Sequence, residues 1–210
     1  MSISFGIFDV FANAIPGFLY LFVFNQIAKA IGVRSIDFAS IDNLGSILVV
    51  ALAAYILGHV MDYFSYRVWE RIFRGRPHWM KGHENFVNLY PGLKTKFQPG
   101  EGSLLFNILR YEKPETAIEI ERYRVIGTML RNISFAAGIF ALLELFLTFQ
   151  HGFSLPDLIA VILSLVVSGV ALRRGDRFSA LYSQFVFEYS VIHGNSLQEV
   201  LKNVRLTKKQ

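Results

Sequence analysis

The sequence contains no cysteine, and this absence excludes disulfide bonds, thiolate chemistry and cysteine-ligated zinc sites. The Gly-x-Ser-x-Gly, His-Glu-x-x-His, P-loop and dinucleotide-binding motifs are absent too. Internal repeats and low-complexity segments are likewise missing. We therefore assign no catalytic residue, and we expect a non-enzymatic protein without a metal or a cofactor.

Charged residues are also scarce, because they make up 18% of the 210 residues, whereas 53% are hydrophobic and the mean hydropathy is +0.40. This surplus of apolar side chains is larger than in a typical soluble domain and is typical of a surface in contact with lipid. A soluble helical bundle would need charged helix faces, which the stretches 47–55 and 158–167 lack. The composition therefore predicts a membrane protein.

Four stretches with almost no formal charge predict membrane spans: 10–28, 43–61, 132–156 and 158–172. A helix needs about 20 apolar residues to cross ~30 Å of hydrocarbon. The fourth stretch is short, so the charges that flank it must lie at the two interfaces. The first stretch is preceded by Asp9 and by no basic region, so we expect a retained span rather than a cleaved signal peptide.

Lysine and arginine are distributed unequally between the two ends of these spans. Of the 21 such residues, 12 lie between the second and third spans and 7 follow the fourth, whereas Lys29 and Arg34 lie elsewhere. By the positive-inside rule, the basic side is cytoplasmic. We therefore expect both termini and the segment 67–130 in the cytoplasm, and the connections 31–43 and 150–156 outside.

The predicted fold is all-α: a polytopic membrane protein with four transmembrane helices in two hairpins and helical cytoplasmic extensions. We expect four consecutive segments, namely a first hairpin, a cytoplasmic loop and stalk, a second hairpin and an amphipathic helical tail, at residues 1–66, 67–130, 131–174 and 175–210. Aromatic residues near the inner end of the second span predict an interfacial belt: Tyr63, Tyr66, Trp69, Phe73 and Trp79.

The central cytoplasmic segment combines turn signals with helical patterns. Glycine and proline recur between Gly75 and Gly102, which predicts mostly loop there. A short amphipathic helix is predicted for 103–111. Pro114 suits the first turn of a long helix that continues through the third span to about Phe149.

The tail after the fourth span carries an apolar stripe at helical spacing: Phe178, Tyr182, Phe185 and Tyr189. The stripe predicts a helix that continues from the membrane and needs a packing partner. Ser196 and Glu199 have capping-box spacing and indicate the start of a last short helix.

Ionisable side chains inside the spans are the first candidates for function, because a charge in lipid is costly. The candidates, with two weaker polar residues, are His59, Asp62, Glu144, Asn13 and Asn25. At ~1.5 Å per residue, Asp62 and Arg131 lie at matching depths of about 26 and 28 Å. This match predicts a structural pair at the inner interface, whereas His59 and Glu144 do not match in depth.

Glu144 stands in an apolar stretch and must be protonated, paired or exposed to water. In a homo-oligomer, identical Glu144 side chains would form a ring, as in many cation pathways; a lone protonated or hydrogen-bonded carboxyl is the alternative. Small residues four apart support close helix packing: Ala54 with Gly58, and Ser164 with Ser168.

Four arginines cluster just after the second span: Arg67, Arg71, Arg74 and Arg76. Each attracts anionic headgroups by ~1 kcal/mol, so the lipid bilayer is the expected partner. An acidic ligand such as RNA or a nucleotide is the alternative, and nucleic-acid binding is not expected.

The remaining candidates for chemistry are His78, His83 and Glu84, in the segment after the second span. They lack the i, i+4 helical pairing of a zincin, so no metal site is expected. The spacing from Arg71 to His78 loosely matches the very permissive arginine-to-histidine pattern of HEPN ribonucleases, and we base no assignment on it.

Three short motifs carry a resemblance: FDVFANAIPGF at 8–18, AYILGH at 54–59 and MLRN at 129–132. They resemble small bacterial four-span membrane proteins associated with antiviral defence against phage. That group includes membrane effectors and accessory membrane proteins encoded beside CRISPR nucleases. The resemblance implies an oligomeric inner-membrane protein that perturbs or senses the membrane on infection, and it marks Gly58 and His59 as a packing and polar site.

Three functional hypotheses follow. The leading one is a homo-oligomeric inner-membrane effector that forms or gates a pore on a cytoplasmic signal. The second is a membrane-anchored sensor or scaffold that recruits a soluble cytoplasmic partner. The third is a small membrane-bound hydrolase or ribonuclease that uses His78, His83 and Glu84.

Overall fold

The computed structural model describes residues 3–38, 41–72, 78–93, 97–152 and 154–192. Within these ranges all regular structure is helical, with short 3₁₀ turns at Pro91–Leu93 and Pro99–Glu101. The α-helices are α1 (Ile3–Ala30), α2 (Leu44–Ile72), α3 (His78–Leu89), α4 (Gly102–Glu112), α5 (Pro114–His151) and α6 (Leu155–Ile192).

Helices α1, α2, α5 and α6 are long and apolar enough to cross a membrane, by length and composition. Their apolar parts have mean hydropathies between 1.4 and 2.3. The candidate spans are Val10–Ala30, Leu44–Ile72, Pro114–Gln150 and Leu155–Ile192. The predicted all-α fold with four transmembrane helices is therefore confirmed.

The chain divides into two compact units. The first, here called the span unit, comprises Met1–Ile72 and Val125–Asp176. The second, called the aromatic unit, comprises Phe73–Arg124 and Arg177–Gln210. Helices α5 and α6 each contribute residues to both units. The sequence suggested four consecutive segments, whereas in the structure the first packs with the third and the second with the fourth.

In the span unit, α1 and α2 approach so closely that two glycines have no room for a side chain. A Cβ at Gly17 would lie 1.8 Å from the carbonyl oxygen of Ala54, and one at Gly58 would lie 2.0 Å from that of Asn13. Ala54 is fully buried. The small pair Ala54 and Gly58 therefore packs the first hairpin within the chain.

Helices α5 and α6 are joined by a reciprocal pair of hydrogen bonds. The Ser134 hydroxyl donates to the carbonyl oxygen of Ser168, and the Ser168 hydroxyl donates to that of Ser134, each at 2.8 Å. Farther along, a Cβ at Gly175 would lie 3.1 Å from the carbonyl oxygen of Gly127, so the helices are close there as well. These contacts hold the second hairpin together within the span unit.

The aromatic unit has a hydrophobic core of its own. Phe86 of α3 and Phe187 of α6 are fully buried, with ring centroids 5.9 Å apart. Phe97 lies 6.2 Å from the ring of Phe187, and Leu105 and Leu109 bring the apolar face of α4 to the same core. Burial of each such side chain contributes about 2 kcal/mol, which explains how this small unit holds its helices together.

The prediction of mostly loop between Gly75 and Gly102 is wrong, because α3 occupies much of that stretch. Gly82 lies inside α3, and a Cβ there would come within 2.3 Å of the Cβ of Ser183. This glycine therefore permits close packing of α3 on α6 rather than a turn.

Trp79, which the sequence assigns to an interfacial belt, packs into the core of the aromatic unit. Its ring lies 5.4 Å from that of Tyr182 and 6.2 Å from that of Phe187, in the core of the aromatic unit. Trp69 by contrast lies in the span unit and is 6% exposed. The two tryptophans therefore belong to different units.

The long helices match the sequence predictions closely. Helix α5 begins at the predicted Pro114 and ends two residues beyond the predicted Phe149, and α6 continues past the fourth span to Ile192. The predicted stripe on α6 finds its partners within the aromatic unit, where the ring of Phe185 lies 4.8 Å from that of Tyr123. The short helix predicted from Ser196 lies outside the described residues.

Candidate functional site

A polar cluster lies in the span unit where α2 meets α5. One carboxylate oxygen of Asp62 accepts hydrogen bonds from Nη2 of Arg131 at 2.7 Å and from Nδ2 of Asn132 at 3.0 Å. The side chains of Arg131 and Asp62 are 12% and 33% exposed. The structure thus contains the ion pair that the matching depths of Asp62 and Arg131 predict, and the side-chain amide of Asn132 is an additional donor.

Asn132 extends this cluster to α1 and to a second position on α2. Its side-chain oxygen accepts a hydrogen bond from the hydroxyl of Ser65, and its backbone carbonyl accepts one from the hydroxyl of Tyr20 at 2.9 Å. Asn132, Tyr20 and Ser65 are all at most 1% exposed. The polar cluster therefore ties together three of the four candidate spans.

Sequence reasoning found Asp62 and Arg131 but missed the uncharged members of the cluster: Tyr20, Ser65 and Asn132. The one available signal was spacing, since Ser65 lies three residues after Asp62 and thus on the same helical face. Hydroxyl and amide side chains are too common near helix ends for their type alone to mark a site.

The guanidinium of Arg131 keeps donor capacity beyond its pair with Asp62. Its Nε is buried and has no hydrogen-bond partner among the described residues. The ring of Tyr66 lies 5.3 Å from its Cζ, a cation–π distance. A guanidinium has five N–H donors, so this group can bind a further acceptor.

A groove of about 330 Å³ opens beside Arg131, between α2, α5 and α6 of the span unit. Its few polar groups come from serines and this one arginine, while the rest of its lining is apolar. Representative lining residues are Ser65, Trp69, Arg131, Gly138, Leu142 and Leu165. A groove with one cation and an otherwise apolar wall suits an amphipathic ligand.

His59 and Gly58 are neighbours with opposite surroundings. Gly58 faces α1, whereas His59 is exposed on the outer surface of α2. The Nε2 of His59 lies 3.3 Å from the hydroxyl of Tyr55, one helical turn earlier. The structure therefore places a polar pair on the exterior of an apolar helix.

Glu144 is half-buried in α5, surrounded by exposed apolar neighbours such as Leu145 and Phe146. Its backbone carbonyl accepts a hydrogen bond from the Thr148 hydroxyl at 2.7 Å. Within the part of the chain that the structure describes, no residue donates a hydrogen bond to its carboxyl group or forms an ion pair with it. Glu144 thus differs from Asp62, which has two donors.

The weaker polar candidate Asn25 has a structural partner. Its Nδ2 donates to the carbonyl oxygen of Ile36 at 2.9 Å, and its Oδ1 accepts from the backbone N–H of the same residue at 2.6 Å. These two hydrogen bonds between the Asn25 side chain and the backbone of Ile36 hold the connection after α1 against that helix. Asn13 contacts α2 at Gly58 through its backbone.

Of the four clustered arginines, Arg67 and Arg71 are described and both are exposed. The Nη2 of Arg67 donates to the Tyr63 hydroxyl at 3.1 Å. Arg74 and Arg76 lie outside the described residues. Exposed guanidinium groups at the end of an apolar helix are suited to contact with lipid phosphates.

His83 is held in the aromatic unit by packing and by a hydrogen bond. Its Nε2 lies 2.8 Å from the carbonyl oxygen of Phe97, and its ring lies 5.2 Å from that of Phe187. His78 contacts the ring of Trp79, and Glu84 is exposed. Among the described residues, no group of three side chains is placed to hold a metal ion.

Four helices are long and apolar enough to cross a membrane, and a polar cluster joins three of them, as in a multi-pass α-helical membrane protein. The chain matches no protein-family model, no curated protein and no solved structure. Its function is therefore inferred from the chemistry of its own residues.

Proposed function

We propose that the chain is a non-enzymatic homo-oligomer of the bacterial inner membrane, whose spans form or gate a pore in antiviral defence. Both termini are cytoplasmic in this proposal, as the distribution of lysine and arginine favours. The observation that carries it is the carboxyl group of Glu144, for which no described residue is a partner. The defence role rests on the resemblance of the three short motifs.

A carboxyl group in hydrocarbon is costly unless it is neutral, paired or hydrated. Asp62 is paired within the chain, whereas the side chains next to Glu144 on the helix surface are apolar and exposed. In a ring of identical subunits, Glu144 would face its copies around a common axis, where water and cations hydrate the carboxyl groups. Oligomerisation therefore supplies the environment that this side chain needs.

The helix surfaces of the span unit leave room for such an assembly. In the most apolar stretch of each helix, only 17% of α2 and 11% of α6 is buried inside the chain. The His59 and Tyr55 pair lies on the exposed side of α2. Polar groups on an otherwise apolar exterior stabilise contacts between transmembrane helices.

The aromatic unit is the proposed receiver of the activating signal. It has its own core, and α5 and α6 are continuous through the residues of both units. A ligand or protein that shifts these helices in the aromatic unit would therefore act on the same helices in the span unit.

The absence of cysteine allows a direct test of the oligomer by disulfide cross-linking. We expect Glu144→Cys to form covalent dimers in membranes under mild oxidation. The matched control is Leu142→Cys, because residues two apart on a helix point about 200° apart while differing in depth by only ~3 Å. Equal cross-linking at both positions, or cross-linking at Leu142 alone, would contradict a ring with Glu144 at its axis.

The pore itself is tested in cells that carry a voltage-sensitive dye. We expect induction of the chain, together with its genomic neighbours and phage, to depolarise the membrane. Glu144→Gln should reduce the depolarisation about tenfold, because a ring of carboxylates concentrates cations. Glu119→Gln on the same helix is the control, since Glu119 is exposed and lies within the aromatic unit. A normal response in Glu144→Gln, or no response in the unchanged chain, would refute the pore.

A membrane-anchored scaffold is the second candidate, favoured by apolar groups on the surface of the aromatic unit. Tyr111 is 90% exposed and Leu89 is 60% exposed. If these residues recruit a soluble protein, Tyr111→Asp and Leu89→Asp should abolish its co-purification without altering depolarisation. Glu115→Gln, at another exposed position of the same unit, should leave it unchanged.

A further inference from the structure

We infer that the groove beside Arg131 is a binding site for one anionic glycerophospholipid, with its phosphate at the guanidinium and an acyl chain along α5. This inference requires the span unit to lie in a membrane but does not depend on the proposed pore. It is argued from the length, the apolar lining and the charge of the groove.

The stretch of the groove between Arg131 and Leu142 on α5 matches the thickness of one leaflet. On α5 it extends from Arg131 to Leu142, which is about 16 Å at 1.5 Å per residue. The hydrocarbon of a bilayer is ~30 Å thick, so one leaflet is about 15 Å. On α6 the lining runs from Leu172 to Leu165 beside it. An acyl chain that begins at the level of Arg131 would therefore end near the middle of the membrane.

The lining of the groove suits an acyl chain. Apart from Arg131 and three serines, the residues that line its about 330 Å³ are apolar. The hydroxyl groups of Ser134 and Ser168 are already bonded to backbone, so they need no partner from a bound ligand.

The charge of the groove supplies the headgroup preference. Arg131 is the one charged residue among the described residues that line it. The structure engages a single N–H of its guanidinium, through Asp62, and Nε is buried, so the donors left for a ligand are the other N–H groups of the two Nη atoms. Trp69 lines the same end of the groove, and tryptophan favours the headgroup level of a membrane. Phosphate is a strong acceptor for the remaining guanidinium donors.

The acyl-chain half of the inference is tested by filling the groove. Gly138 lines the groove, and a Cβ there would meet only the Ser168 hydroxyl, at an ordinary 3.5 Å. Gly138→Leu should therefore keep the helix while its side chain occupies the groove. Gly169→Leu is the matched control, because a Cβ at Gly169 has no atom within 4 Å and this glycine does not line the groove.

The measurement is native mass spectrometry of the full chain in detergent, after incubation with phosphatidylglycerol. We expect one retained lipid in the unchanged chain and in Gly169→Leu, and about tenfold less in Gly138→Leu, equivalent to ~1.4 kcal/mol. Circular dichroism checks that the variants keep their helix content. Equal retention in Gly138→Leu, or loss of subunit association instead of lipid, would overturn the inference.

The headgroup half is tested by comparing phosphatidylglycerol with zwitterionic phosphatidylcholine. The unchanged chain should retain more phosphatidylglycerol. In the double variant Asp62→Asn/Arg131→Gln, a neutral hydrogen-bonded pair replaces the ion pair, so the preference should disappear while retention of the acyl chain persists. A preference that survives in the double variant would show that Arg131 does not bind the headgroup.

Discussion

Asp62 and Arg131, 69 residues apart in the sequence, form an ion pair with an N–O distance of 2.7 Å between α2 and α5. Asn132 donates to the same carboxylate oxygen and also accepts from the Tyr20 hydroxyl of α1. Removal of one charged group from this cluster leaves its partner desolvated and unpaired. The resulting loss of stability is larger than the net stability that the intact pair contributes.

We therefore expect Asp62→Ala to lower the free energy of unfolding by about 2 kcal/mol, the typical cost of losing a hydrogen bond to a charged group. The double variant Asp62→Asn/Arg131→Gln should cost less than half as much, because neither side chain is left as an unpaired charge. Thermal unfolding in detergent, followed by circular dichroism, measures both. A double variant that is less stable than Asp62→Ala would contradict this account.

Two glycines should respond in opposite ways to substitution by alanine, because Gly58 lies in the close contact between α1 and α2, whereas Gly169 lies on the open surface of α6. Gly58→Ala should destabilise the chain by about 2 kcal/mol, because its Cβ would come within 2.0 Å of the Asn13 carbonyl oxygen. Gly169→Ala should stabilise it by up to ~1 kcal/mol, since alanine has the higher helix propensity and the site is open. Detergent unfolding midpoints compare them, and a Gly58→Ala variant as stable as Gly169→Ala would exclude the close approach.

The core of the aromatic unit should depend on Phe187, which contacts Trp79, His83, Phe86 and Phe97. We expect Phe187→Ala to cost about 3 kcal/mol and Tyr111→Ala, at an exposed site, less than ~0.5 kcal/mol. The chain has two tryptophans, so Trp69→Phe leaves Trp79 as the fluorescent reporter. The urea concentration at which Trp79 emission shifts to longer wavelength should be lower in Phe187→Ala than in the chain without that substitution. An unchanged transition would show that Phe187 is not central to the core.

The orientation in the membrane can be measured with single cysteines, again because the natural chain has none. Arg34→Cys lies in the connection between α1 and α2, and Tyr111→Cys lies in the aromatic unit at a position that is 90% exposed. In spheroplasts, a membrane-impermeant maleimide should label Arg34→Cys at once and Tyr111→Cys only after permeabilisation. The reverse pattern would place the basic side outside the cell.

The features that sequence reasoning predicted well depend on neighbouring residues. Runs of uncharged apolar residues predict spans, and the prolines and periodic apolar stripes predict where α4, α5 and the end of α6 lie. Depth matching also indicated the partner of Asp62, because a helix is a rod of known rise and the bilayer sets a common origin.

The missed features depend on contacts between distant segments. Gly82 was interpreted as a loop residue, yet it is a small residue inside α3 that accommodates Ser183. Trp79 packs against Tyr182 and Phe187, and its position in the sequence does not reveal these partners. Tyr20, Ser65 and Asn132 are ordinary polar residues until three helices bring them together.

Composition and order of residues by themselves determined that this chain has four helices suited to lipid and that nearly all of its lysines and arginines follow the second and the fourth of them. These properties are local sums of transfer free energy and charge, so folding does not change them. Only the tertiary structure decided which polar groups have partners, where a groove remains open beside Arg131 and that the carboxyl group of Glu144 has no described partner. The physical reason is that hydrogen bonds and voids arise from the spacing of helices that are far apart in the sequence.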